Sequence, residues 1–310
     1  MVAMMQSIVL LLVGFVLLIK GADFFVEGSS SVARTLRIPS MIVGLTIVAM
    51  GTSLPELAVS VTASVAGNNA LAVSNVIGSN LFNLMLVCGA CALFAPLIVQ
   101  KDTLKKEIPV SVLCAVLLFV LGISGMEIGR TDGVILLLLF IGFLVWMVRS
   151  ALKAHPSGEY KIYPAWKCAL YIVGGAVAIK FGGDFVVDGA SAIAVKAGLS
   201  QNLIGLTIVA MGTSLPEFVT SVVAARKNEV DMAFGNVIGS NIFNILFILG
   251  VTAAISPVAF IMENVVDSIL LVLVSILVWV FAWSRLHIEK KEGVVLLALY
   301  AAYLVYICMR

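Results

Sequence analysis

Residues 44–56 read GLTIVAMGTSLPE, and residues 205–217 read the same thirteen letters. The hexamer NVIGSN at 75–80 returns at 236–241, so both pairs are separated by one offset of 161. Carried along the chain, that offset also sets Asp23 against Asp184, Glu27 against Asp188 and Asn83 against Asn244. A single offset covering most of both halves is an internal repeat, and a repeat decides architecture before any one motif does.

Composition places that repeat in a bilayer. Hydrophobic residues make up 62% of the 310 and charged residues 12%, with a mean hydropathy of +1.16, whereas soluble domains carry about 25% charged residues. Apolar stretches long enough to span, about 20 residues each, are read at 6–33, 40–66, 70–99, 108–127, 132–151, 165–195, 202–225, 230–257, 264–284 and 292–309. They predict an all-α polytopic membrane protein of ten transmembrane helices. An odd number of spans per repeat forces the second copy to enter from the opposite side, which gives two inverted five-helix repeats, 1–151 and 165–310, joined by a short linker at 152–164. Residues 1–19 lack a basic n-region and an A-x-A cleavage site, so they are read as a retained first helix rather than a signal peptide.

Charge placement orients the chain. The odd-numbered joints between spans hold 14 of the 19 Lys and Arg, including Arg34, Arg37, Lys101, Arg149, Lys227 and Lys290, while the opposite side holds Arg130, Lys196 and Arg310. By the positive-inside rule the linker at 152–164 is cytoplasmic and both termini are external. A net charge of +2 excludes a nucleic-acid partner, which requires a clustered cationic excess. No feature calls for an obligatory protein partner; the partner is the lipid bilayer. Cys88, Cys91, Cys114, Cys168 and Cys308 sit in or beside apolar stretches and are read as reduced and membrane-buried, the CxxC at 88–91 having no second pair or nearby His to complete a metal site.

Chemistry concentrates in the repeated motifs. Pro55 and Pro216 cannot donate to the carbonyls of Gly51 and Gly212 and should loosen the turn that carries Thr52 and Thr213. Such carbonyls survive in hydrocarbon only where protein, water or an ion satisfies them. Glu56 and Glu217 follow at once, and an intramembrane carboxylate is expensive and usually functional. Ser53 and Ser214, three residues earlier, share a face with them. In the next helix Asn75, Ser79 and Asn83 stand at i, i+4 and i+8, a stripe repeated by Asn236, Ser240 and Asn244. For Asn75 and Asn236 hydrogen-bonding glue between helices is as good a reading as site membership. Gly78 and Gly239 beside the stripe should admit a neighbouring helix closely. Carboxylate, amide, hydroxyl and carbonyl oxygens are hard ligands suited to Ca2+ or Na+, and the absence of Cys and His from the stripe argues against zinc or copper. Lys20, Asp23 and Glu27 in the first helix, with Lys180, Asp184 and Asp188 in the sixth, have spacings that suit ion pairs within one helix and a structural or gating role.

GTSLPE followed by GSNLFN, repeated as GTSLPE and GSNIFN, resembles the paired alpha repeats of the calcium/cation antiporter family, most closely sodium/calcium exchangers. The resemblance covers essentially the whole chain. It implies an antiporter of a prokaryotic cell (inner) membrane that exchanges Na+ for Ca2+ by alternating access, with the two ions as substrates and no cofactor. It implies that Glu56 and Glu217 bind Ca2+ with the carbonyls of Thr52 and Thr213. It also implies that Ser53, Ser79, Asn83, Ser214, Ser240, Asn244 and the carbonyls of Ala49 and Ala210 help form Na+ sites. Several family members, the potassium-dependent branch among them, carry Asp where this chain has Asn244, which puts potassium coupling in doubt. The short central joint leaves no room for a Ca2+-sensing domain.

A proton/calcium exchanger and a cation channel on the same scaffold are the alternatives. An intramembrane enzyme is excluded, because His155 and His287 both fall in cytoplasmic joints and cannot activate Ser53. The charge count makes a topological prediction. A single Cys placed at Ser157 in a Cys-depleted background should react with an impermeant thiol reagent only after the membrane is opened, and labelling in intact cells would overturn the orientation.

Overall fold

A computed structural model describes residues 2–66, 69–153, 163–198, 208 and 210–309. Helix α1 runs Val2–Leu36. The next span is broken into α2 (Ser40–Val43), a π segment (Gly44–Val48), α3 (Ala49–Thr52) and α4 (Leu54–Val65). Then come α5 (Asn69–Leu81), a second π segment (Phe82–Val87) and α6 (Cys88–Phe94). After β1 (Leu97–Ile98), α7 (Lys101–Lys105) and α8 (Glu107–Gly125) are followed by β2 (Glu127–Ile128) and α9 (Arg130–Lys153). The second half begins with α10 (Ala165–Lys196) and resumes at α11 (Ala210–Gly212) and α12 (Leu215–Arg226). It continues with α13 (Val230–Phe243), a π segment (Asn244–Ile248), α14 (Leu249–Ile255), β3 (Val258–Ala259), α15 (Met262–Arg285), β4 (His287–Ile288) and α16 (Lys290–Met309).

Among the described residues eight helices are long and apolar enough to cross a membrane, or nine if the bent pair Ser40–Thr52 and Leu54–Val65 counts as one span. The remaining expected span, 202–225, has residues 202–207 and 209 outside the described residues, where most of the linker at 152–164 also lies; α11 and α12 are the helices described for that span. The strands add a β element that an all-helical reading did not include. They form two short antiparallel pairs, β1 with β4 and β2 with β3, each joining one half of the chain to the other. The stretch read as 70–99 accordingly ends its helix at Phe94, because Ala95 turns extended and Pro96 follows.

The repeat is visible in the element boundaries, and its offset changes once. Ala95 and Ser256, 161 apart, both close helices in an extended conformation. Met126 and Leu286, 160 apart, both end helices in the left-handed region. The extra residue in the first half is taken up where α7 breaks from α8 at Lys106; in the second half α15 is continuous.

Contacts between joints sort by parity. The joint before α7 pairs with the one before α16 through β1 and β4, Gln100 donates to Asp231, and Arg34 is paired with Glu229. The joint before α9 pairs with the one before α15 through β2 and β3, and Lys196 reaches Ser7. One correction concerns the first-helix charges: Asp23 and Glu27 pair across to Lys227, at 3.2 and 3.9 Å, rather than within α1. The Tyr163 hydroxyl also donates to Glu27. Lys180 and Asp184 do form the pair within one helix that the spacing predicts.

Glycine sets how closely the halves approach. Gly14, Gly21 and Gly28 recur every seven residues along α1, as do Gly175, Gly182 and Gly189 along α10, and the two helices pack antiparallel through them. A Cβ on Gly182 would lie 2.6 Å from the Leu18 backbone nitrogen, and one on Gly21 would lie 2.9 Å from that of Ile179. Residues on the far side of each helix from these glycines, such as Leu12, Val16, Val173 and Val177, are exposed, which suits a lipid-facing outer pair. Gly182→Ala is therefore expected to lower stability by about 1–3 kcal/mol, since backbone cannot step aside. Gly174→Ala, whose Cβ meets no described atom within 4 Å, should be neutral or mildly stabilising. Thermal unfolding of the two purified variants side by side checks this, and equal melting temperatures would refute the close-packed interface.

Candidate functional site

The helix break expected at the prolines falls at Ser53, two residues before Pro55 itself. Helix α3 stops at Thr52, Ser53 adopts φ −85° and ψ 11°, and α4 restarts with Pro55 in its first turn. The axes on either side differ by 47°. Ser214 repeats the geometry at φ −92° and ψ 5° ahead of Pro216. Proline fits a first helical turn because no N–H is needed there, and the break brings Ser53 and Glu56 into the protein interior with 0% exposure each.

What holds this break in place is the other half of the chain. Gly44 of the first π segment, Gly235 and Gly239 lie at the crossing with α13, where added Cβ atoms would meet the carbonyl oxygens of Met232, Met41 and Leu45 at 2.5, 2.6 and 2.6 Å. The expected close approach at Gly239 is thus made by Leu45. Gly78 meets no described atom within 4 Å, and Leu206, which repeats Leu45, lies outside the described residues.

The hydrogen bonds of the serine–glutamate pairs then run between halves, and the partners are exchanged. Ser53 Oγ donates to Glu217 Oε1 at 2.6 Å, and Ser214 Oγ donates to Glu56 Oε1 at 2.9 Å. Ser53 also contacts Ser240 at 3.1 Å, as Ser214 does Ser79 at 3.0 Å. Thr52 Oγ1 donates to Asn236 Oδ1 at 3.2 Å. Asn75 and Asn236 take the glue role: each amide nitrogen donates to the serine four residues after its neighbouring glutamate, Ser60 at 3.0 Å and Ser221 at 2.8 Å, and contacts that glutamate's carbonyl at 3.4 Å.

A second layer lies one turn beyond the serines. Asn83 Nδ2 donates to Asn241 Oδ1 at 3.2 Å, and Asn244 Nδ2 donates to Asn80 Oδ1 at 3.0 Å. Asn80 and Asn241 were not among the residues singled out by the i, i+4, i+8 stripe. Their signal was present in GSN itself, where an asparagine follows each serine of the stripe, but position i+5 projects off that face. Two of the π segments begin within this layer or beside it, at Phe82 and Asn244, and no hydrophobic pattern announces them.

The site residues expected from sequence are therefore gathered as follows. Glu56, Glu217, Ser53, Ser214, Ser79, Ser240, Asn83, Asn244 and Thr52 are all buried and interlinked across the two halves. Thr213 is half-buried between Gly212 and Ser214. The Ala49 carbonyl accepts the Ser53 N–H at 3.1 Å, with Thr52 Oγ1 3.4 Å away, which leaves it less free than a broken helix suggests. Ala210 opens α11, and its side chain lies outside the described residues.

Four oxygens in this group have no protein partner although they are sealed from solvent: Glu56 Oε2, Glu217 Oε2, Asn83 Oδ1 and Asn244 Oδ1. They are two repeat-related pairs. A buried acceptor left unpaired costs about 1–3 kcal/mol, and a charged one costs more. A hard cation satisfies such a set, with the serine and threonine oxygens close by.

Comparison with known proteins agrees with this arrangement. The family model described as sodium/calcium exchanger protein matches residues 6–149 and 167–309. The sodium/calcium exchanger MaX1 of Methanosarcina acetivorans is 31% identical, over 96% of this chain and 97% of that protein. The inner membrane protein YrbG of Escherichia coli is 37% identical, over 82% of this chain and 81% of its own. A solved structure of the sodium-calcium exchanger NCX_Mj, soaked with Na+ and Sr2+, superposes with a TM-score of 0.87 at 35% identity, covering 97% of this chain and 98% of that one. The family transports ions and is not a family of enzymes. With both halves matched and the fold shared end to end, the chain belongs to the sodium/calcium exchanger family.

Proposed function

We propose that this chain is a secondary active antiporter that exchanges Na+ for Ca2+ by alternating access, and that Glu56 and Glu217 are its principal ion ligands. The observation that carries the reading is the set of four buried, unpartnered oxygens, two carboxylate and two amide, at repeat-related positions. Two carboxylates supply two negative charges, which one Ca2+ neutralises and two Na+ neutralise equally well. Thr52, Thr213, Ser53, Ser214, Ser79 and Ser240, with the carbonyls of Ala49 and Ala210, add neutral oxygens that complete a shell of the six to eight Ca2+ prefers. NCX_Mj, whose structures concern extracellular ion exchange and binding-site occlusion, supplies the analogy for a site that closes over its ion.

The architecture that serves this function is two five-span repeats, 1–151 and 165–310, entering the membrane in opposite directions around the site. The exchanged hydrogen bonds are what such a pairing requires, because each half completes the other's ligands. The two discontinuities at Ser53 and Ser214 and the π segments are the places where a helix can re-aim without losing its whole backbone ladder. The basic joints lie in the cytoplasm and the termini outside, in the plasma membrane of a prokaryote.

Glu56→Gln and Glu217→Gln should each lower Ca2+ flux in proteoliposomes by about a hundredfold or more, since one member of a buried charged set is lost while its volume is kept. Melting temperature and elution profile should stay near wild type, and Ser79→Ala should only weaken transport. Near-normal flux in either Gln variant would remove the proposed site.

Charge movement gives an independent check. A third Na+ would leave the site at +1, and the doubled serine sets offer more neutral oxygens than two Na+ need, so each cycle should move net charge. One charge through 100 mV is worth about 2.3 kcal/mol, or about fiftyfold in the gradient held at equilibrium. With vesicles clamped by potassium and valinomycin, Ca2+ uptake into a Na+-loaded interior should rise when that interior is positive. Voltage-independent uptake would show two Na+ per Ca2+, and uptake driven by a pH gradient instead would favour proton coupling.

A further inference from the structure

An asparagine amide presents an acceptor at one end and two donors at the other, in nearly the same shape. Asn83 and Asn244 therefore serve a cation only if each is held with its oxygen toward the ion, because a flipped amide aims N–H bonds at a positive charge. We propose that Asn241 and Asn80 set that orientation, acting as positioning residues in two amide relays that each begin at a backbone carbonyl of the opposite half. The proposal deepens the antiporter reading, on which it rests for the identity of the ions.

The relay can be followed atom by atom. The Asn80 carbonyl oxygen can only accept, so the end of the Asn241 amide that meets it, at 3.4 Å, must be Nδ2. Asn241 then turns Oδ1 to Asn83, which meets it with Nδ2 at 3.2 Å. Asn83 Oδ1 is thereby left free, and it is buried without a protein partner. The second relay starts at the Asn241 carbonyl, which accepts from Asn80 Nδ2 at 3.3 Å. Asn80 Oδ1 accepts from Asn244 Nδ2 at 3.0 Å, and Asn244 Oδ1 is left free in the same way. Each step leaves one choice to the next, and the choice originates in a group that has no hydrogen to give. All four side chains are 0–1% exposed, so bulk solvent does not reach them.

A double substitution tests orientation apart from packing. Asn241→Leu removes both bonds at similar volume and frees the Asn83 amide to turn. In proteoliposomes the apparent Na+ and Ca2+ affinities should fall by about tenfold or more, with a smaller change in maximal rate. A carboxylate has two equivalent oxygens and no wrong way round. In an Asn83→Asp background the wild-type Asn241 oxygen faces another oxygen, so adding Asn241→Leu there should leave affinity unchanged or raise it. The same loss in both backgrounds would overturn the proposal, as would no loss in either. The repeat supplies a second cycle, Asn80→Leu against Asn244→Asp, for use if the first pair folds poorly. Wild-type exchange of Ca2+ for Na+ is the control. Its absence would overturn the antiporter reading alone, and the cycle would then be read from Ca2+-induced shifts in melting temperature of the purified variants, with the same two outcomes deciding it.

Discussion

Two carboxylates sealed inside an apolar bundle are the constraint on which the rest of this structure depends. Glu56 and Glu217 are 0% and 1% exposed, and an ionised carboxylate without compensation is among the costliest groups to place there. Each receives one serine hydroxyl on Oε1 and nothing on Oε2. On the proposed function, the protein satisfies half of each carboxylate and a cation would complete it. A transport site needs that balance, since full internal satisfaction would remove the affinity for ions and none at all would prevent folding.

The compensation comes from the opposite repeat in every case. Ser53 serves Glu217, Ser214 serves Glu56, and the four asparagines of the second layer bond only across the repeat interface. Neither half can assemble its own site, so duplication of one unit is a requirement of the chemistry as well as a record of ancestry. Under the proposed alternating access, movement of one repeat against the other would change both carboxylates' surroundings at once.

Close helix approach makes the exchange possible. Glycines at the crossing of the first broken span with α13 let backbone meet backbone, which puts Thr52 and Ser53 within hydrogen-bond reach of Asn236 and Ser240. The seven-residue glycine stripes of α1 and α10 do the same on the outside of the bundle, where lipid offers no hydrophobic advantage and small residues permit van der Waals contact. At one end of that pair Lys227 is held by Asp23 and Glu27, while the repeat-related Asp184 of α10 meets Lys180 of its own helix. The halves therefore differ at their ends although they agree at their centre.

The sequence by itself determined the membrane setting, the doubled unit, the family and most of the polar residues gathered at the centre. Each of these is written in composition, identity at a fixed offset or the cost of a charge in hydrocarbon, and none depends on how distant segments meet. Tertiary structure decided the partners. That Ser53 belongs to Glu217 rather than to the nearby Glu56, and that Asp23 belongs to Lys227 rather than to Lys20, follows from which helices cross. Spacing along one helix cannot express that. The π segments and the roles of Asn80 and Asn241 were hidden for a related reason: a stripe at i, i+4 and i+8 describes one face of one helix, whereas these asparagines act across an interface between two.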